Sequence, residues 1–92
     1  MSIMDRAIVH PRVTQRHPSI TEKDVLHAWN QAVRISWRGI SAPDQYVAVG
    51  IDRRNRLIEM VAAETEAGDW MIYHAMTPPS KRTCLELGIR WI

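Results

Sequence analysis

Four stretches with a period of two, residues 33–38, 46–51, 57–64 and 70–76, follow one another across short polar connections. Few architectures other than an antiparallel meander accept that succession. Residues 33–38 set Val33, Ile35 and Trp37 against Arg34, Ser36 and Arg38, the alternation of a half-buried strand. In 46–51, Val47, Val49 and Ile51 share a face; in 57–64, Ile58, Met60 and Ala62 oppose Leu57, Glu59 and Val61. Residues 70–76 are apolar on both faces, with Trp70, Ile72 and Met76 against Met71, Tyr73 and Ala75. That reads as a central strand covered twice. Pro43 and Asp44 mark the first connection, residues 52–55 the second, where Asn55 tolerates positive φ, and residues 66–69 the third.

The period changes to 3.6 upstream of the strands. Thr21 is placed to cap a helix by accepting from the Asp24 N–H, and Glu22 and Asp24 put negative charge on its first turn. Ile20 and Val25 have the spacing of a hydrophobic staple. Val25, Ala28, Trp29 and Ala32 form the buried stripe, leaving Lys23, Asp24, His27, Asn30 and Gln31 largely on the other side. Earlier still, residues 7–9 suit a short strand, but Pro11 and Pro18 break up that region. At the other end Pro78 and Pro79 stop the sheet, and residues 80–87 suit a short helix ended by Gly88. The expected fold is α+β: an antiparallel meander of about four strands, an N-terminal amphipathic helix and a short C-terminal helix, with the helices on one side.

Ninety-two residues make a single domain, and 46% hydrophobic with 24% charged residues excludes a disordered chain. A chain this short buries only about 60–65% of its unfolded surface, so a partner or a second copy would help to cover its thin core. Cys84 is the single cysteine, which excludes an internal disulfide framework and a Cys-rich zinc module and suits a reducing compartment. Asp5, Arg6 and Arg12 interrupt the start, so no signal peptide is expected, and no apolar run approaches the ~18 residues of a membrane span. These features point to the cytoplasm. A net charge of +2 with a pI near 9.1 permits a polyanionic partner without requiring one.

Of the four histidines, His10, His17 and His27 are scattered, without H-E-x-x-H or C-x-x-C spacing. Asp24 and His27, at i and i+3, read as an exposed polar face, and no metal or cofactor is expected. A Cys84–His74 nucleophile pair competes with a packing role for the cysteine, and packing is the expectation. G-x-S-x-G, P-loop and dinucleotide motifs do not occur. His74 draws more attention, since Tyr73 precedes it and Thr77, Lys81 and Arg82 follow closely. Imidazole is the ordinary general acid or base, and nearby cations suit a phosphate. The competing role is a half-buried sheet histidine bonded to a neighbour. Arg53, Arg54 and Arg56 cluster at the second connection, with Arg34 and Arg38 on an earlier strand. Such guanidinium groups suit a nucleic-acid backbone, or equally a solvated turn partly neutralised by Asp52. Trp37, Tyr46 and Trp70 suit either base stacking or the core. Ile89, Trp91 and Ile92 are apolar for a tail, which suits packing or, together with the sheet, the protein-binding or dimer surface of a non-catalytic interaction module.

The segment from Arg16 and His17 through Pro18, Ile20, Thr21, Glu22, Asp24 and Val25 resembles the helix opening of BrnT-like toxins, of the broad RelE-type ribonuclease fold. Val49-Gly50-Ile51-Asp52 with Asn55-Arg56-Leu57-Ile58-Glu59-Met60-Val61 resembles that family's central hairpin. Trp70-Met71-Ile72-Tyr73-His74-Ala75-Met76, then Pro79 and Lys81, resembles its last strand and the turn into the closing helix. The similarity spans about residues 16–87; Pro18 stands where such sequences carry Gly, and Met76 and Thr77 where they often carry arginines. The resemblance implies the toxin of a bacterial toxin–antitoxin pair, cutting RNA without metal or cofactor and masked by a cognate antitoxin. Carried over, His74 is acid or base, Lys81 and Arg82 hold the phosphate, and Arg53, Arg54 and Arg56 grip the RNA backbone.

Overall fold

A computed structural model describes residues 6–90. Its elements run β1 (Ala7–Val9), α1 (Pro11–Arg16), α2 (Glu22–Asn30), β2 (Ala32–Trp37), β3 (Gln45–Ile51), β4 (Leu57–Glu64), β5 (Trp70–Met76) and α3 (Lys81–Glu86). The class is α+β. Strands β2 to β5 pair antiparallel in sequence order, as the alternating segments require. The expectation of about four antiparallel strands is corrected by β1, which pairs parallel with β5 (Ala7 opposite Trp70) and makes a five-stranded mixed sheet in the order β1-β5-β4-β3-β2. That pairing joins opposite ends of the chain, so no local turn signal announces it.

Helix α2 forms where its signals lie. Thr21 Oγ1 accepts from the Asp24 N–H at 3.1 Å, and Asp24 Oδ2 accepts from the Thr21 N–H at 3.0 Å, a reciprocal capping box. Asp24 is consequently buried, not on the solvated side of the helix. The short α1 is the element the prolines concealed. Pro11 opens it, and His10 caps it by accepting from the Arg12 N–H at 3.1 Å. Proline is unfavourable inside a helix but suits its first position, so the same residue that argues against a strand starts this turn.

The main core lies between the sheet and α1 and α2. Val13, Ile20, Val25, Ala28 and Trp29 pack there on Ala48, Ile58, Met60, Ala62, Trp70, Ile72 and Ala75. The two surfaces come very close at Gly50, where any Cβ would run into the Ala28 backbone carbonyl. Val47, Val49 and Val61 project from the opposite face and pack with Leu87, just beyond α3, and with Tyr73 and Ile89. The helices therefore do not share one side: α1 and α2 cover one face, and the C-terminal segment covers the other. Ile89 thus packs internally, whereas Trp91 and Ile92 lie outside the described residues. So does Asp5, one of the charges that argue against a signal peptide. No helix among the described residues is long and apolar enough to cross a membrane.

A bulge in β5 corrects the expected faces of that strand. His74 lies opposite Val61 and Ile72 opposite Ala62, so Tyr73 is an extra residue with no cross-strand partner. Strict alternation would have put His74 on the face of Trp70 and Ile72. Instead Ala75 joins those residues in the main core, and His74 shares the face of Val61 and Glu59.

Candidate functional site

Glu59 is the acid within the apolar run of β4, and it lies 5% exposed beneath the β5–α3 junction. Buried carboxylates need partners, and this one is fully supplied. Its Oε1 accepts from the Ser80 N–H at 2.8 Å and from Ser80 Oγ at 2.9 Å, and its Oε2 lies 2.7 Å from His74 Nε2. Ser80 is also the N-cap of α3, accepting at Oγ from the Thr83 N–H at 3.2 Å. Burial alone would push the Glu59 carboxyl up. The bond to His74, the Ser80 N–H and the Thr83 and Ser80 hydroxyls outweigh it and hold the carboxyl at about 2, below an ordinary 4.5.

An ionised carboxylate only accepts, so His74 Nε2 is the donor in this pair. Nδ1 has no hydrogen-bond partner among the described residues, and the side chain is 32% exposed. The ring is thus oriented from behind by a buried anion and open on its other nitrogen. That combination can accept a proton from a molecule arriving from solvent.

Lys81 and Arg82 stand exposed in the first turn of α3 and form no salt bridge among the described residues. They are tied to His74 through the chain: Lys81 follows Ser80, Ser80 holds Glu59, and Glu59 holds His74. Cations at a helix N-terminus oppose the backbone dipole, and this first turn contains no acidic residue to offset them. Local preference therefore does not explain these two charges.

The arginines of the β3–β4 turn are committed differently. Asp52 Oδ1 accepts from the N–H groups of Arg54 and Arg56 at 2.9 and 2.8 Å, and its Oδ2 accepts from Arg56 Nε at 2.8 Å. Asp24 receives Arg54 at 2.8 Å, Arg56 at 3.4 Å and Arg53 at 3.6 Å. Arg54 and Arg56 also donate to the Ser19 carbonyl at 2.7 and 3.2 Å, which fixes the chain entering α2. Burial would raise both carboxyls. For Asp24 the Thr21 N–H and Arg54 prevail, for Asp52 the Arg56 N–H and guanidinium, and each stays below its ordinary value. The side chains of Arg53 and Arg54 remain 52% and 55% exposed, against 25% for Arg56.

The remaining candidates separate cleanly. Cys84 is buried and lines a mostly apolar hollow of about 540 Å³ with Leu57, Pro78, Pro79 and Ile89. No hydrogen bond joins it to His74 among the described residues. His27 meets the Ile51 carbonyl at 3.1 Å, and no cluster of three or more His, Cys, Asp or Glu suited to a metal ion occurs among the described residues. Trp70 is in the core, edge-on to Tyr46 at 4.8 Å, whereas Trp37 is half exposed.

Sequence reasoning missed Glu59 as a site residue. Its signal was an acid within a strand whose neighbours Ile58, Met60 and Val61 all call for burial. No protein-family model, curated protein or solved structure matches the chain.

Proposed function

We propose that this chain is a RelE/BrnT-like toxin domain that cuts RNA without a metal, with His74 as the proton acceptor. The observation that carries this reading is the partly exposed imidazole, bonded at Nε2 to buried Glu59 and without a partner at Nδ1 among the described residues. In the reaction Nδ1 takes the proton of a ribose 2′-hydroxyl. The 2′-oxygen then bonds to the adjacent phosphorus, and the P–O5′ bond breaks. The leaving 5′-oxygen takes a proton from water, the imidazolium returns its own to the resulting hydroxide, and the products are a 2′,3′-cyclic phosphate and a 5′-hydroxyl end. Ionised Glu59 stabilises the imidazolium formed on the way.

Lys81 and Arg82 supply the positive charge that a phosphorane-like transition state needs. They stand in for the arginines that the resemblance would place at Met76 and Thr77. Arg53 and Arg54, half exposed despite their contacts with Asp24, can still meet RNA backbone; Arg56 serves mainly Asp52. In this reading the protein works in the cytoplasm and is held inactive by a cognate antitoxin.

The test is cleavage of a defined RNA by the purified full chain, with analysis of the ends. Cyclic phosphate termini are expected, and His74→Ala should slow cleavage by ~10²-fold or more, the usual contribution of a general base. Intact RNA after prolonged incubation, or equal cutting by the alanine variant, would remove His74 from the chemistry.

A further inference from the structure

The two edges of the sheet are unequally protected. β1, at one edge, is three residues long and runs directly into α1. β2, at the other, is six residues long, carries a bulge at Val33, and exposes Val33, Ile35 and Trp37 at 47%, 39% and 50%. Soluble proteins usually blunt such an edge, because its free N–H and C=O groups are a template for another strand. The Arg38 N–H donates inward to the Gln45 carbonyl, so by alternation the N–H and C=O of Ile35 and Trp37 face outward, the Trp37 carbonyl accepting there from Ser36 Oγ at 3.3 Å.

The side chains along this edge are sorted by face. Ile35 and Trp37 lie on the α2 side, opposite Ala48 and Tyr46, and Arg34 and Ser36 on the α3 side, opposite Val49 and Val47. The Trp37 indole donates to the Pro43 carbonyl at 2.7 Å, so it is already held in place, as a good anchor for a partner should be. Residues 31–43 contain two arginines and no Asp or Glu. Arg38 is answered by Glu86 at 3.2 Å, whereas Arg34 donates to the Val33 carbonyl at 3.0 Å and has no carboxylate partner among the described residues.

We infer that the free edge of β2 binds an extended segment of a partner protein by strand addition. The segment alternates apolar residues, which lie along Ile35 and Trp37, with acidic residues, which meet Arg34. Charge decides this occupant over a second copy, since another β2 carries no carboxylate to answer Arg34. The inference stands apart from the chemistry at His74 and does not depend on it.

The experiment uses the full chain and two synthetic peptides, alternating valine–glutamate and alternating valine–lysine, read by calorimetry and by backbone amide shifts. The glutamate peptide should bind at least ~10-fold more tightly than the lysine peptide and shift the Ile35 and Trp37 amides. Salt should weaken it. Methylating its alternate backbone nitrogens should abolish binding, and Trp37→Ala or Arg34→Glu should weaken it by ~10-fold or more. Equal affinity for the two peptides, or shifts away from β2, overturns the inference. So does sedimentation showing that this edge is already closed by a second copy, or RNA competing for the same amides with higher affinity.

Discussion

Two buried acidic clusters brace this fold, one at the start of α2 and one beneath α3, and they are satisfied in opposite ways. Asp24 and Asp52 are neutralised by Arg53, Arg54 and Arg56, whose charges are permanent. Glu59 is satisfied by a serine, a threonine and one imidazole, none of them a permanent charge. The first arrangement closes on itself and ties a turn to a helix. The second leaves a ring nitrogen without a partner among the described residues. Buried carboxylates are therefore poor guides to function until the chemistry of their partners is known.

The sharpest way to break that comparison is at Asp24. Asp24→Asn removes the anion that three guanidinium groups and the Thr21 N–H share, and should cost about 2–3 kcal/mol in urea unfolding. The cleavage step at saturating RNA should be unchanged per folded molecule, any effect falling on RNA affinity through the released Arg53 and Arg54. Glu59→Gln should reverse the pattern, costing about 1–2 kcal/mol while slowing cleavage at least ~10-fold, since the imidazolium loses its counter-charge. If both variants lose stability alike and neither alters cleavage, the two clusters are equivalent props.

Acid titration sharpens the contrast further. A carboxyl held down in the folded state contributes stability that is complete above its ordinary value and is lost as pH falls toward the folded one. Glu59 should therefore lose its contribution between about 4.5 and about 2, with that of Asp24 persisting to lower pH. Thermal unfolding across this range should show a shallower fall for Glu59→Gln than for the wild type; parallel curves would contradict the assigned bonding. The smallest effect is expected at Arg53, which is 3.6 Å from Asp24 and half exposed. Arg53→Ala should change stability by less than about 0.5 kcal/mol, within the range of a surface pair.

How far the arrangement was legible from the chain varies with the distance between the residues involved. The Thr21 cap of α2, the positive φ of Asn55 and the Gly88 stop each depend on a few neighbouring residues, and each occurs where residue chemistry required it. β1 was visible as a segment but not as a partner of β5, because no turn links the two. The arginines were visible as a cluster. Their engagement with Asp24 was not, since the helical periodicity assigned that aspartate to solvent while its capping role drew it inward.

His74 shows where such reading stops. Residue types and spacing marked it as interesting, together with Lys81 and Arg82, but left open whether its side chain meets solvent or core. One extra residue at Tyr73, detectable only once β5 is laid against β4, turns the imidazole over and brings it to Glu59. Periodicity, capping and turn chemistry are energies of adjacent residues, so they are written locally and built the α2 helix and the β2–β5 meander. Register, the choice of sheet edge and the pairing of buried charges are energies between distant segments, and only the packed chain could settle them.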